Sequence, residues 1–116
     1  MMLLHVETKQ IEPDVTVMEF QGKITMGLEG RRVETLVDEL LREHATKLVF
    51  DLTGVEYVDS TGMGVIVSCF TKMARAGGML RVAGLNDRVR QLFKITRVDT
   101  VLTFYPTAQA AAASPW

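Results

Sequence analysis

An apolar run, a polar hexapeptide and a second apolar run follow one another between Lys47 and Ala76, and their order constrains the fold of this 116-residue chain more than any other stretch. Leu48-Val49-Phe50-Asp51-Leu52 reads as a buried strand. Val65-Ile66-Val67-Ser68-Cys69-Phe70, continued by Met73, is long enough with its neighbours to be a helix packed on that strand. Asp59-Ser60-Thr61-Gly62-Met63-Gly64 therefore falls where a strand hands over to a helix N-terminus. Backbone N–H groups are free there and the helix dipole is positive. A serine hydroxyl in that position can cap the helix, act as a nucleophile or accept a phosphate.

The elements around this centre alternate between strand and helix. Residues 3–9 alternate weakly and Val15-Thr16-Val17-Met18-Glu19-Phe20 alternates well, with the turn residues Glu12-Pro13-Asp14 between them, so the two predict a hairpin. Gly22 is expected to close the second strand. A helix is expected over 28–44, with Val33, Leu36, Val37, Leu40 and Leu41 on one face and Arg32, Glu34, Asp38, Glu39 and Glu43 as a solvated face. Strand 47–53 and a helix from Ser60 to Ala76 follow, the helix stopped by Gly77-Gly78. Met79 to Ala83 is a further strand, so strand, helix and strand predict a right-handed crossover between parallel neighbours. Asn86 and Asp87 open a short helix with Val89, Leu92 and Phe93 inward, and Val101 to Tyr105 is a short edge strand ended by Pro106. The expected architecture is α/β: a single domain over 1–106, with a mixed sheet of about four to five strands opened by a hairpin and packed against about four helices. Residues 107–116 form an alanine-rich tail, helical or disordered.

Composition narrows the class. The formal net charge of −1 gives no electrostatic footprint for nucleic acid or an anionic membrane. The single Cys69 can form no internal disulfide, which suits a reducing cytoplasm. Met1-Met2-Leu3-Leu4 begins like a signal peptide, but His5, Glu7 and Lys9 interrupt it, and no stretch reaches membrane-spanning length.

Several chemistries fail at the hexapeptide. A nucleophile elbow needs glycine two residues before the serine, where Val58 stands, and the only histidines, His5 and His44, lie at the chain start and at the end of the first helix. A serine hydrolase using Ser60 is thus the remote alternative. Gly62-x-Gly64 lacks the third glycine of a dinucleotide fingerprint, Val67 standing in its place, and no phosphate loop of the Gly-x-x-x-x-Gly-Lys type occurs. One cysteine and two distant histidines give no metal-ligand spacing, and Asp51, Glu56 and Asp59 have simpler roles than as oxygen ligands. No cofactor or metal is expected. What remains is a helix cap by Asp59 or Ser60, worth about 1 kcal/mol. A cap does not explain Gly62 and Gly64, each of which costs up to about 1 kcal/mol in a helix relative to alanine. Two glycines on a first turn keep it bare for the close approach of another protein's backbone.

The run Leu48-Val49-Phe50-Asp51-Leu52-Thr53-Gly54-Val55-Glu56-Tyr57-Val58-Asp59-Ser60-Thr61-Gly62-Met63-Gly64 resembles the signature of the STAS domain, and its nearest likeness there is to bacterial anti-sigma factor antagonists. The similarity continues through Gly77-Gly78-Met79-Leu80-Arg81-Val82 and Val89-Arg90-Gln91-Leu92-Phe93, covering roughly residues 4–105. The resemblance implies a non-enzymatic partner switch in the cytoplasm. The unphosphorylated antagonist would bind an anti-sigma factor that is also a serine kinase, releasing a sigma factor; phosphorylation would break the complex, and a metal-dependent phosphatase would restore it. It implies Ser60 as the phosphoacceptor, with Thr61 the lesser neighbour, and a partner surface made of Lys23, Ile24, Thr25, Met26, Asp59, Thr61, Gly62, Met63 and Gly64, extended by exposed residues of the second helix such as Lys72. Met63 is an anchor for the partner if exposed and a core residue if buried. Where many phosphorylatable antagonists read Gly-x-Leu-Asp, this chain reads Gly22-Lys23-Ile24-Thr25; the lost charge points to a different kinase partner or weaker phosphorylation. The second reading within the family is an unphosphorylated scaffold or a regulatory subunit of a signalling or transporter complex.

Overall fold

Alternating runs that include Val6 and Thr8, then Val15, Thr16, Val17 and Phe20, lay down the first two strands, β1 (Leu4–Ile11) and β2 (Val15–Ile24), as an antiparallel hairpin turning at Glu12–Asp14. The computed structural model describes residues 4–25 and 28–116. After the hairpin come α1 (Leu28–Arg42), β3 (Lys47–Val58), α2 (Ser60–Arg75), β4 (Met79–Ala83), α3 (Asp87–Ile95), a short 3-10 turn (Val98–Thr100), β5 (Phe104–Tyr105) and α4 (Ala108–Ala113). The five strands form one sheet in the order β1-β2-β3-β4-β5, with every pairing after the hairpin parallel.

Period-two alternation splits the strands between two cores. Met18, Phe20, Leu48, Phe50, Leu52, Leu80 and Val82 face α1, α2 and α3, whose Val33, Val37, Ile66, Cys69, Met73, Val89 and Phe93 complete the larger cluster. Phe20 and Phe50 meet there on adjacent strands with ring centroids 4.9 Å apart. The opposite face carries Val15, Val17, Val49 and Ala83, covered by Ala108 and Ala111 of α4. The alanine-rich tail is thus a helix docked on the back of the sheet.

Four boundaries differ from expectation. β3 continues to Val58, because its second half pairs with the end of β2 (Gln21 with Gly54, Gly22 with Val55, Ile24 with Val58). Gly22 does not close β2; with φ 108° it sits at a register shift that bends the strand and lets it run on to Ile24. The helix α1 stops at Arg42, two residues before His44, which adopts φ 64°. β5 is only two residues long, since the preceding chain is taken up by the 3-10 turn. The end of α2 is as expected: Gly77 at φ 82° donates to Ala74 O at 3.1 Å and Gly78 donates to Met73 O at 2.8 Å, a Schellman closure. No helix among the described residues is long and apolar enough to cross a membrane.

Candidate functional site

Asp59 is the N-cap of α2, in extended backbone, and its Oδ1 accepts from Gly62 N–H at 2.7 Å. Its own N–H donates to Ile24 O at 3.3 Å, and its carbonyl accepts from Met63 N–H at 2.8 Å. With the cap supplied by Asp59, the Ser60 side chain is the first of the helix and is exposed, as is Thr61 beside it.

The two glycines of this turn serve different ends. A Cβ on Gly62 would collide with the Ile24 carbonyl, lying 2.7 Å from its carbon and closer still to its oxygen. Gly62 is buried and lets the end of β2 lie directly against α2, so its bareness serves an internal contact and not a partner's backbone. Gly64 is exposed with nothing within 4 Å of an added Cβ, and keeps the expected open surface. Met63 is 4% exposed and belongs to the core, which excludes it as a partner anchor in this conformation. Ile24 is likewise a core residue, at 1% exposure. Lys23 is exposed and Thr25 half-buried beside the site, while Met26 lies outside the described residues. Lys72 is not a free helix cation: it reaches Asp38 at 3.1 Å and Glu34 at 3.6 Å, fastening α2 to α1. The hydrogen bond to Asp38 raises its pKa above the ordinary lysine value.

The sequence reading missed the contribution of α3. Asn86 caps that helix by accepting from Val89 N–H at 2.8 Å, while its Nδ2 donates to Val55 O at 3.0 Å. The bond to Val55 pins the first turn of α3 to β3, and a groove of about 400 Å³ opens between them. Tyr57, Val58, Asp59 and Ser60 line one side; Arg88, Gln91, Leu92 and Ile95 line the other. Tyr57 and Ile95 are 41% and 69% exposed, so an apolar rim stands beside the serine. The sequence signals for this element were the cap-like Asn86-Asp87 pair and the apolar spacing of Val89, Leu92 and Phe93, and neither says where the helix docks. Neither histidine lines the groove; His5 pairs with Glu7 at 3.1 Å on β1, and His44 lies in the turn after α1. Ser60 therefore has no histidine base beside it. Among the described residues no three histidine, cysteine or carboxylate side chains converge as metal ligands.

The sequence model of the STAS domain matches residues 6–111. The chain belongs to the STAS domain family. The match runs past residue 106 into α4. The chain is 35% identical over 101 residues to the anti-sigma-B factor antagonist of Bacillus subtilis, spanning 87% of this chain and 90% of that one. In fold it resembles an anti-sigma factor antagonist from Mycobacterium paratuberculosis, with a TM-score of 0.80 at 20% identity over 94% of this chain and 91% of that one. The Bacillus cell fate determinant SpoIIAA in its phosphorylated form has a TM-score of 0.72 at 12% identity, covering 93% of this chain and 96% of that one.

Proposed function

We propose that this STAS protein is an anti-sigma factor antagonist, a binding protein that holds an anti-sigma factor while Ser60 is a free hydroxyl and leaves it when Ser60 carries a phosphate. The observation that carries this reading is the exposed Ser60 hydroxyl on a turn whose cap is already supplied by Asp59. The fold gives Ser60 no structural task, so its side chain is available for modification. The 35% identity to an anti-sigma-B factor antagonist supports the same reading. The partner's kinase activity would move the γ-phosphoryl of ATP to Ser60 Oγ: the P–O bond to ADP breaks as the new one forms, and the hydroxyl proton passes to the kinase. A metal-dependent phosphatase would reverse the modification.

A phosphoserine adds about −1.5 to −2 charges. At the first turn of α2 the free N–H groups tolerate that charge, so the domain keeps its fold and the cost falls on the interface. The surface that fits this role is Ser60, Thr61 and Gly64 with Lys23 and Thr25, now widened to Tyr57 and the α3 side of the groove. Ile24, Gly62 and Met63 support that surface from beneath.

Intact-mass spectrometry after incubation with ATP and a candidate anti-sigma kinase tests the reading. One added phosphate that a Ser60→Ala variant lacks is the expected result. Binding without any mass gain would instead make the protein a constitutive antagonist or a scaffold. That outcome has a structural motive in Thr25, which offers no charge beside the serine. If the missing charge limits the kinase, Thr25→Asp will raise the phosphorylation rate.

A further inference from the structure

Arg88 lines the groove that holds Ser60 and a second cleft next to it. The first is bounded by Tyr57, Val58, Asp59 and Ser60; the second shares Tyr57 with it and is otherwise bounded by Lys23, Thr25 and Glu56. The Arg88 side chain is exposed and makes no ion pair among the described residues. Its position is fixed from below, because Asn86 ties the first turn of α3 to the Val55 carbonyl of β3. The charged groups around it are Asp59, whose Oδ1 is engaged by Gly62 N–H, Glu56 and Lys23 in the second cleft, and its chain neighbour Asp87.

We propose that Arg88 receives the phosphate of Ser60: once modified, the serine pairs with the Arg88 guanidinium across the groove and ties the start of α2 to the start of α3. The proposal rests on the phosphorylation of Ser60 argued above. A planar guanidinium presents paired N–H donors that match two phosphate oxygens, the geometry for which arginine is suited and lysine is not. It also offsets the repulsion between the phosphate and the carboxylate of Asp59, the residue before it. The consequence for partner release is more than added charge. The phosphate and Arg88 together fill the groove whose rim is Tyr57, Leu92 and Ile95, so an incoming side chain loses its seat as well as its electrostatic match.

The test installs phosphoserine at position 60 during translation of the full chain, so that it needs no kinase. Phosphorus-31 NMR then follows the titration of the phosphate in the otherwise unaltered protein and in Arg88→Ala, Arg88→Lys and Arg90→Ala variants. Arg90 is an exposed cation on the same helix that lines neither cleft. Loss of Arg88 is expected to raise the apparent phosphate pKa by about half a unit, roughly a threefold gain in proton affinity. Lysine should restore part of that shift, and Arg90→Ala should cause none. An equal pKa in all four proteins overturns the pairing. Should Arg88→Ala fold poorly, the Arg88 Nε–H resonance of the unsubstituted chain decides the matter: it must shift between the serine and phosphoserine forms, and an unmoved signal refutes the proposal. A kinase that fails to modify Ser60 is seen separately by mass and counts against the partner switch, not against the pairing.

Discussion

Alanine in place of Gly64 meets nothing within 4 Å, whereas alanine in place of Gly62 runs into the Ile24 carbonyl. The two substitutions therefore separate stability from binding on a single helical turn. Gly64→Ala should raise unfolding free energy by about 0.5–1 kcal/mol through helix propensity. It should weaken the anti-sigma factor complex, because a methyl group now stands on the contact surface; denaturant melts and a binding isotherm on the same sample would read both. Gly62→Ala should cost roughly 1–3 kcal/mol, since backbone must shift to admit the methyl. A Gly62→Ala protein as stable as the parent would show that the end of β2 can move off α2. At the cap, Asp59→Ala should lose about 1 kcal/mol while Asp59→Asn keeps most of it, because asparagine also accepts from the Gly62 N–H. The hexapeptide was legible as a strand-to-helix turn. The division of labour between its glycines was not, because the approach of Ile24 is a contact across 38 positions of chain that no local pattern records.

At the scale of elements, the unexpected feature is the way α4 is held. Arg81 of β4 is 4% exposed, on the back face of the sheet. Its Nη1 donates to Ala111 O at 2.7 Å and Ser114 O at 2.9 Å, and its Nη2 donates to Pro115 O. The guanidinium lies between two rings, 3.8 Å from the Trp116 centroid and 5.1 Å from that of Tyr105. One buried cation thus satisfies a carbonyl of the last turn of α4 and two carbonyls of the segment that follows it. Replacing Arg81 with methionine strands those carbonyls and should cost on the order of 2–3 kcal/mol. Trp116 is the sole tryptophan, so its fluorescence reports on this latch alone. The expected outcome is a red-shifted emission with the rest of the fold retained; an unshifted spectrum would mean that apolar packing of Ala108 and Ala111 suffices. The sequence showed an arginine in the middle of a strand and an alanine-rich end. It could not show that each was the other's partner, since neither has a local pattern that implies the other.

For the whole molecule the two-sided sheet sets the response to alkali. Cys69 is fully buried between α2 and the sheet, and burial, helped by the Glu34 charge, pushes its thiol up to about 12. An unfolded cysteine titrates near 9.0. The folded state thus retains a proton that the unfolded state gives up, and stability must fall with rising pH between those two values. The slope is roughly 1.4 kcal/mol per pH unit for one such group. Lys72 acts in the same direction at higher pH, since its raised pKa gives stability that is lost only as the paired ammonium deprotonates. Urea melts from pH 8 to 11 should therefore show a decline that begins near 9 and is flattened in Cys69→Ala. The same burial predicts that the native protein resists thiol alkylation at pH 8 and reacts once unfolded.

The order of strands and helices, the class of the fold and the serine at the head of α2 can all be read from local patterns in the chain. These are set by period-two and 3.6-residue patterns, caps and glycine stops, all of which act over a few residues. Which of those residues lie at the surface depends on how the elements pack. That packing sent Met63 into the core, tied Lys72 to Asp38, ran β3 on to Val58 beside β2, and brought Arg88 of α3 to the groove of Ser60. Each of those outcomes depends on where one element lies against another, and the packing of a mixed sheet between two helical layers fixes that only once the whole chain is folded.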